Sequence, residues 1–282
     1  REYSRLFYMI KEITLQLVPQ YSDAEARSIA ILLMCNITGL SYTELLIHTP
    51  SLNEEQEEEL RKKIERVKKN EPLQYVLGET IFFGRRFKCD RRALIPRPET
   101  EELIDWIIND ASNNTNISIL DIGCGSGCIA ITLAKELKNS IVTALDISKE
   151  AISLTEENCK INNCQVECIN DDIFNFSDAQ YDIIVSNPPY ICDNEAADIE
   201  SNVIDYEPHL ALFVPDNSPL KFYEKITEYA ARNLRSRGKL YFEINRKYGK
   251  EMQLLLEKFG FINIELRKDI SNNDRMIKGE KR

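Results

Sequence analysis

An apolar β-branched run, a tight glycine turn and an apolar helix follow one another between residues 117 and 137. Residues 117–122 predict a buried strand, residues 123–127 the turn, and residues 128–137 the helix. Glycines let a backbone approach a ligand closely, and the helix N-terminus presents free N–H groups. The segment therefore predicts one βα unit of a parallel sheet, with a ligand at the carboxyl end of its strand.

The glycine turn does not match the common phosphate-binding motifs. It lacks the Gly-Lys-Ser/Thr ending of a P-loop, and Gly127 follows Gly125 too closely for the dinucleotide fingerprint. The next predicted strand, residues 141–145, ends at Asp146. A carboxylate in this place accepts hydrogen bonds from both hydroxyls of a ribose in nucleotide-binding βαβ units. We therefore expect Asp146 to bind a ribose.

A third predicted strand, residues 166–169, is followed by two acidic and two apolar residues. We expect an acidic side chain here to meet an exocyclic amine, while Ile173 and Phe174 form the wall of an adenine pocket. The alternative is that Asp171 and Asp172 only cap a turn. The sequence leaves both interpretations open.

The fourth predicted strand, Tyr181–Ser186, stops at Asn187, Pro188, Pro189 and Tyr190. The two prolines have fixed φ and no N–H donor, so this loop is rigid and extended. The Asn187 side chain and the proline carbonyls offer acceptors, and the tyrosine offers a flat ring. Such groups suit a planar –NH2 group, whose hydrogens need two acceptors and whose π system stacks on a ring.

These βα units bring four features to one edge of the sheet. They are the glycine turn, an aspartate that can bind a ribose, the apolar wall of an adenine pocket, and a loop that can bind a planar –NH2 group. The arrangement predicts a nucleoside-bearing cofactor beside a planar amine that acts as acceptor. The chemistry it indicates is methyl transfer from S-adenosyl-L-methionine, which leaves S-adenosyl-L-homocysteine.

The rest of the chain predicts three regions. Residues 1–70 carry apolar residues at helical spacing and predict a small helical bundle. Residues 71–95 predict a β-hairpin linker, and residues 96–282 the catalytic domain. Arg97 stands between two prolines, where it is either a cation positioned near the ligand or a surface residue of the linker. For Tyr206 and Glu207, closure over the substrate and a plain surface loop are equally open.

Composition excludes several classes of function. A net charge of −10 and a pI near 5.0 argue against a broad nucleic-acid interface, because duplex binding depends on phosphate neutralisation. The eight cysteines lack the paired spacing of a zinc site. We therefore expect reduced thiols, no metal and no disulfide framework. No long apolar run or signal-peptide pattern is present, so we expect a soluble protein. The reduced thiols indicate the cytoplasm, and we expect a monomer.

At this point the sequence resembles a known family. Residues 121–127, Asp-Ile-Gly-Cys-Gly-Ser-Gly, are similar to motif I of class I methyltransferases, and Asn-Pro-Pro-Tyr at 187–190 to motif IV of amino-methylating members. Further segments resemble the release-factor glutamine methyltransferases (PrmC/HemK): Glu71–Tyr75, Gly78–Thr80, Leu94–Glu101, Glu207–Pro208 and Ala211–Phe213. The resemblance runs from about residue 71 to the end, while the N-terminal bundle is similar only in size and helicity.

The resemblance implies a Rossmann-like class I methyltransferase fold. It implies methylation of the side-chain nitrogen of the glutamine in the Gly-Gly-Gln motif of class 1 peptide-chain release factors, with the N-terminal bundle as our candidate docking site. The catalytic and substrate-binding residues it implies are Asn187, Pro188, Pro189 and Tyr190, with Arg97 as a further substrate contact. The cofactor-binding residues it implies are Asp121, Gly123, Cys124, Gly125, Ser126, Gly127, Asp146, Ile147, Asp172, Ile173 and Asn187.

The chain departs from the family pattern at several points. The usual Glu-Ile-Gly is Glu243-Ile-Asn245 here, the following segment to Gly249 lacks a common Gln, and Ile173 stands near the place of an aromatic residue. The loop 214–217 also differs. Two rival functions stay open at this point: a DNA adenine-N6 methyltransferase with the same four-residue loop, and a binding module that holds the cofactor without turnover. A protein-glutamine methyltransferase with wider substrates is also open.

Overall fold

Capping side chains divide the N-terminal unit, residues 1–78, into short helices. Ser41 Oγ accepts a hydrogen bond from Glu44 N, and the Glu44 carboxylate accepts one from Ser41 N. Asn53 and Gln56 form a second reciprocal capping box. In the sequence, Ser41–Glu44 matches a capping box and Asn53 precedes a charged helical pattern, so the sequence predicts a helix start at each place. The structure confirms both. The helices are α1 (Glu2–Leu17), α2 (Asp23–Thr38), α3 (Tyr42–Ile47), α4 (Glu54–Lys68) and α5 (Leu73–Leu77).

This computed structural model describes residues 2–47, 51–111, 116–177 and 180–282. Apolar faces of the first four helices meet in one core, in which Leu17, Leu33, Met34 and Leu45 are fully buried. The short helix α5 lies in a stretch for which the sequence indicated only a hairpin linker. It follows Pro72, whose fixed φ suits the start of a helix, and it ends at Gly78 with φ +80°.

The second unit, residues 79–282, is a mixed α/β structure. Its strands are β1 (Glu79–Phe82), β2 (Arg85–Lys88), β3 (Ser118–Ile122), β4 (Ile141–Asp146), β5 (Glu167–Asn170), β6 (Tyr181–Ser186), β7 (Ile191–Cys192), β8 (Phe213–Val214), β9 (Leu234–Glu243), β10 (Ile262–Lys268) and β11 (Asp274–Glu280). Its helices are α6 (Pro98–Ala111), α7 (Cys128–Glu136), α8 (Lys149–Ile161), α9 (Ser201–Tyr206), α10 (His209–Leu212), α11 (Lys221–Asn233) and α12 (Gly249–Lys258). A 3₁₀ helix covers Asp193–Asp198.

The described residues of this unit form a seven-stranded sheet in the order β10-β11-β9-β6-β3-β4-β5. Strands β5, β4, β3, β6 and β9 are parallel, and β11 pairs antiparallel with both β9 and β10. One apolar cluster joins α6, α7 and α8 to one face, and another joins α11 and α12 to the opposite face. The predicted doubly wound sheet is confirmed.

Some boundaries differ from the predictions. From the sequence, the apolar pattern predicts a strand over Lys239–Ile244, because the polar stretch 235–238 resembles a loop. In the structure this last parallel strand begins at Leu234. Its Arg235 guanidinium donates to Asp182 of β6 and to Ser118 Oγ of β3, so this polar stretch contacts the sheet through a side chain. The short elements β7, β8, α9 and α10 were also missed, since two to six residues carry too little periodicity to be detected.

No helix in the described part of the chain combines the length and the apolar character needed to cross a membrane. Among the same residues, no cluster of three or more histidine, cysteine, aspartate or glutamate side chains could hold a metal ion.

Candidate active site

The strand order of the sheet reverses between β3 and β6, which lie side by side with Ile122 opposite Ser186. A doubly wound sheet has a crevice at such a switch point, at the carboxyl ends of its strands. A cavity of about 440 Å³ opens there. Its size is that of a small-molecule site. The predicted site residues that line it are Arg97, Gly123, Cys124, Gly125, Ser126, Asp146, Ile147, Asp172, Ile173, Asn187, Pro188 and Pro189.

The glycine turn after β3 is held by the neighbouring strand. The amides of Gly123 and Cys124 both donate to the Leu145 carbonyl, at 2.8 and 3.1 Å. Gly123 has φ +74°, and a Cβ built on it would meet no atom within 4 Å. The backbone of the turn therefore faces open space in the cavity, where a bound molecule can approach it closely.

Asp146 stands at the end of β4, where the sequence predicted a ribose-binding acid. Its two carboxylate oxygens accept hydrogen bonds from Gly125 N and Ser148 N, each at 2.9 Å. Burial raises the pKa of this carboxyl group, and these N–H donors lower it in part. Each oxygen retains a second lone pair, so the group can still accept hydrogen bonds from a ligand.

Asp121 lies behind the turn and does not line the cavity. Its carboxyl group is fully buried, and Oδ2 accepts a hydrogen bond from Ala130 N at 3.1 Å, which caps the first turn of α7. The other oxygen, Oδ1, is buried without a partner. Burial raises the pKa of Asp121 to about 7, more than the Ala130 N–H lowers it. Its contact with a cofactor stays a prediction.

Helix α8 holds the turn from the other side, through residues that the sequence interpretation missed. Thr155 Oγ1 donates to the Gly125 carbonyl at 3.0 Å, and Asn158 Nδ2 donates to the Ser126 carbonyl at 2.9 Å. Asn158 is fully buried and also bonds both backbone groups of Lys88 on β2, donating to the carbonyl and accepting from the N–H. A single asparagine thus joins the hairpin to the glycine turn.

The segment after β5 agrees with both interpretations of its sequence. Asp172 Oδ1 accepts a hydrogen bond from Phe174 N at 2.9 Å, which is the turn-capping role. Asp172, Ile173 and Phe174 also line the cavity, as an adenine wall would. Phe222 of α11, which the sequence interpretation missed, lines the same end and packs edge-on against Phe174, with ring centroids 6.0 Å apart.

The loop after β6 is fixed at its start by Ser186, whose hydroxyl donates to the Ile122 carbonyl at 2.6 Å. Asn187 and Pro189 are half-buried and Pro188 is buried, and all three line the cavity. They lie opposite the glycine turn across the switch point, because β3 and β6 are neighbours. The cavity therefore joins the predicted cofactor residues to the predicted acceptor loop.

Tyr190 does not line the cavity, and its half-buried ring packs against the apolar cluster on the α11–α12 face of the sheet. Its hydroxyl lies 3.4 Å from Glu243 Oε1, and Glu243 Oε2 accepts a hydrogen bond from Thr100 Oγ1 at 2.6 Å. Burial, then the nearby Glu243, raises the pKa of the tyrosine. Burial likewise raises the pKa of Glu243. Stacking of the Tyr190 ring on a substrate stays a prediction.

Arg97 lines the cavity and forms an ion pair with Glu207. Its guanidinium donates to Glu207 Oε1 at 2.6 Å, while Glu207 Oε2 accepts from Ile95 N at 3.1 Å. The Glu207 side chain is only 1% exposed and that of Arg97 is 32% exposed. The surface-loop interpretation of Glu207 is therefore wrong, because its side chain is buried. The two donors satisfy the carboxylate, which would otherwise be costly to bury.

Two family models match the chain. The model for the methyltransferase small domain matches residues 103–208, and the model for the PrmC N-terminal domain matches residues 9–78. The first range contains the glycine turn, Asp146 and the acceptor loop. The second covers nearly the whole N-terminal unit.

Curated relatives cover most of the chain. A release factor glutamine methyltransferase from Flavobacterium psychrophilum is 53% identical over 75% of this chain and 76% of its own length. One from Bacteroides thetaiotaomicron is 42% identical over 91% of this chain and 93% of its own length. A solved methyltransferase from Pyrococcus furiosus superposes with a TM-score of 0.52 at 19% identity, over 71% of this chain and 90% of that chain. The last similarity concerns the fold alone.

Proposed function

The chain belongs to the family of release factor glutamine methyltransferases, and from this premise we propose that it methylates a release-factor glutamine in the cavity described above. The observation that carries the assignment is that one cavity joins the glycine turn after β3 to the acceptor loop after β6. A methyl donor and a methyl acceptor must lie next to each other for transfer. The switch point of the sheet supports that placement.

S-adenosylmethionine supplies a methyl group on a positively charged sulfur, which leaves as a thioether. The chain has residues suited to hold it. The open space beside Gly123 accommodates a close-lying ligand, and Asp146 keeps free lone pairs for ribose hydroxyls. Ile173 and Phe174 offer apolar walls for an adenine ring. We propose the predicted cofactor-binding set for this role, with Asp121 acting from behind the turn.

The acceptor chemistry follows from the loop. An amide nitrogen is a weak nucleophile, because its lone pair is delocalised into the carbonyl. We propose that the Asn187 side-chain oxygen and the Pro188 carbonyl accept the two N–H bonds of the glutamine and direct its nitrogen toward the methyl carbon. With S-adenosylmethionine bound, a bond between that nitrogen and the methyl carbon would form as the carbon–sulfur bond breaks, and the nitrogen would then lose a proton to solvent.

Rate enhancement in this scheme comes from two effects of the chain itself. The rigid loop would hold the amide nitrogen at the roughly 3–3.5 Å from the methyl carbon that transfer requires, which replaces a bimolecular encounter with a positioned one. Its acceptor oxygens also stabilise the positive charge that develops on the nitrogen. No protein side chain needs to remove a proton before transfer.

The proposal extends to the partner. The N-terminal unit exposes large apolar side chains on α1, with Phe7 55%, Tyr8 61% and Leu15 63% exposed. We propose that this face docks the release factor, and that the chain acts as a monomer without nucleic acid. Replacing Phe7 and Leu15 by serine should raise KM for the release factor, with Ile141→Ser, also exposed, as a matched control in the second unit.

The rival of a DNA adenine-N6 methyltransferase is not favoured, since the curated relatives described above are release factor glutamine methyltransferases. The second alternative, a non-catalytic cofactor-binding module, differs from an enzyme in that it transfers no methyl group. One methyl-transfer assay tests both alternatives.

The test is transfer of a tritiated methyl group to purified release factor, beside a factor whose Gly-Gly-Gln glutamine is changed to alanine. We expect label on the first and none on the second. Label on both factors would place the acceptor elsewhere in the release factor. Label on DNA alone would favour the DNA adenine-N6 methyltransferase instead. No transfer to any acceptor, despite cofactor binding, would favour the silent module.

A matched pair of enzyme variants then tests the loop. Asn187→Ala should lose at least about 100-fold in kcat, because one of the two acceptors for the glutamine –NH2 group is lost. Asn194→Ala, an exposed asparagine in the following 3₁₀ helix, should retain full activity. Equal activity of the two variants would remove Asn187 from the mechanism.

A further inference from the structure

Segment 245–248 follows β9 and packs against the chain just beyond the acceptor loop. Asn245 Nδ2 donates to the Tyr190 carbonyl at 3.1 Å and to Glu195 Oε2 at 3.2 Å. Its Oδ1 accepts from Lys247 N at 3.0 Å. The side chain is buried, with 7% of the residue exposed. Three of the four hydrogen bonds that a carboxamide can make are therefore formed within the protein.

Glu195 extends the same network. Its carboxylate accepts a hydrogen bond from Cys192 N at 3.0 Å and forms an ion pair with Lys247 Nζ. The Tyr248 hydroxyl lies 3.5 Å from Cys192 Sγ. Backbone groups at residues 190 and 192 are thus held by side chains from the segment after β9, directly or through Glu195.

The acceptor loop consequently has two fixed ends. At its start, Ser186 is bonded to Ile122 on β3. At its end, the Tyr190 carbonyl is bonded to Asn245. The two prolines between them cannot donate backbone hydrogen bonds, so the loop depends on its ends for position. In the sequence, residue 245 stands out only as a departure from the family pattern.

We propose that Asn245 is a positioning residue of the methyl-transfer site, which fixes the downstream end of the Asn187–Tyr190 loop through the Tyr190 carbonyl and Glu195. This inference rests on the proposed function, because it assigns Asn245 to the same loop. The residue touches neither substrate nor cofactor in this role. It acts by holding the acceptor oxygens of Asn187 and Pro188 where an amide nitrogen needs them.

The consequence for catalysis follows from geometry. A small displacement of positioned groups lowers the rate of a positioned reaction strongly, by roughly 100-fold for about 1 Å. Loss of the Asn245 side chain should therefore lower kcat by about 10- to 100-fold. KM for the release factor and the dissociation constant for S-adenosylmethionine should change little, because Asn245 does not line the cavity.

The experiment compares the full chain with its variants Asn245→Ala and Asn245→Asp. The aspartate keeps the shape of the side chain and the acceptor for Lys247 N, but it cannot donate to the Tyr190 carbonyl and faces Glu195. Arg246→Ala, at the exposed neighbouring position, is the matched control. Each protein is measured for kcat, KM, cofactor affinity and amide hydrogen exchange of the peptide that spans residues 187–195.

We expect both Asn245 variants to exchange faster over 187–195 and to lose kcat, with Asn245→Asp at least as impaired as Asn245→Ala. Arg246→Ala should match the wild type in both readouts. A folded variant with unchanged exchange and unchanged kcat would overturn the proposal. So would a loss of cofactor affinity without a loss of kcat. If the alanine variant does not fold, the kcat and the exchange rate of the isosteric aspartate variant test the proposal.

The exchange measurement separates this inference from the proposed function. It needs no acceptor, so it reports on the loop even if the wild type methylated no release factor. In that case the function would fail, while faster exchange in the Asn245 variants would still show that this side chain holds the loop. Full methylation by the wild type together with unchanged exchange in the variants would instead overturn the inference alone.

Discussion

Asn158 Nδ2 donates to the Ser126 carbonyl at 2.9 Å, across 32 positions of sequence, and so fixes the glycine turn to helix α8. The side chain is fully buried, and it bonds Lys88 of the hairpin as well. Removing it takes these hydrogen bonds from the buried Ser126 carbonyl and from the part-buried N–H and carbonyl of Lys88. Such groups cost about 1–3 kcal/mol each when they lose a hydrogen bond.

We therefore expect Asn158→Ala to lower the free energy of unfolding by roughly 3 kcal/mol and to weaken S-adenosylmethionine binding. Denaturant unfolding and calorimetric titration measure the two effects. Asn162→Ala is the matched control, because Asn162 lies one turn later on the same surface and bonds the Arg86 carbonyl at an exposed site. An Asn158 variant as stable as the Asn162 variant would contradict this account.

Gly127 supplies a second test of the turn. It has φ +79°, and a Cβ there would lie 2.7 Å from Thr155 Cγ2. Gly127→Ala should cost about 3 kcal/mol or more, from backbone strain together with overpacking. Gly260→Ala is the control, because Gly260 has φ +84° and no atom within 4 Å of its Cβ position. It should cost only about 1 kcal/mol.

Adding Thr155→Ser to Gly127→Ala removes the methyl group that clashes. The double variant should recover part of the stability in chemical denaturation, although the strain from positive φ remains. If the two glycine variants cost the same, steric contact with Thr155 would not be the cause.

Asp121 predicts a pH dependence of stability. Its pKa is raised to about 7 in the folded protein because it is buried, against about 4 in an unfolded chain. A raised carboxyl pKa stabilises the fold at low pH, and this contribution is lost as pH rises toward 7. Between about pH 4.5 and 6.5, the loss is about 1.4 kcal/mol per pH unit.

The variant Asp121→Asn removes this titration, because an amide does not ionise. Relative to this variant, the wild type should therefore lose stability steadily from about pH 4.5 to about pH 6.5 and then level off above about pH 7. Urea unfolding of both proteins at several pH values measures this difference in the free energy of unfolding. Parallel curves across this range would show that Asp121 does not carry a raised pKa.

The Arg97–Glu207 pair predicts a coupling energy. Arg97→Met leaves the buried Glu207 carboxylate with Ile95 N as its remaining bonded donor. We expect a loss of about 2 kcal/mol, below that of a fully buried pair because Arg97 is partly exposed. Adding Glu207→Gln should restore part of the stability, since the charge is gone. Additive effects in the double-variant cycle would mean that the two residues do not interact energetically.

Local patterns in the sequence were sufficient for the sheet and for much of the cavity lining. The apolar strands, the glycine turn and the Pro188-Pro189 stop each act within a few residues, so their positions at the strand ends could be predicted. Contacts made by single side chains across long separations could not. Asn158 lies in an ordinary helical pattern, and the partner of Arg97 lies 110 positions away. The periodicity of the sequence reveals neither of these hydrogen bonds.

Asn245 shows the same limit from the other side. A polar residue in place of a common glycine was visible in the sequence, but its bond to the Tyr190 carbonyl depends on how β9 ends beside β6. Asn245 and Tyr190 become neighbours only when the sheet is assembled. The short elements after the acceptor loop, from β7 to α10, were likewise missed because each is too short for a pattern.

The position of β11 in the sheet has a consequence for how the protein is made. This strand lies between β9 and β10, although both precede it in the chain. During synthesis, β10 therefore has no neighbour to join until residues 274–280 have left the ribosome. The edge of β9 likewise remains exposed until that moment. Until then the nascent domain carries an open strand edge, which is a surface that chaperones bind and that other chains can join.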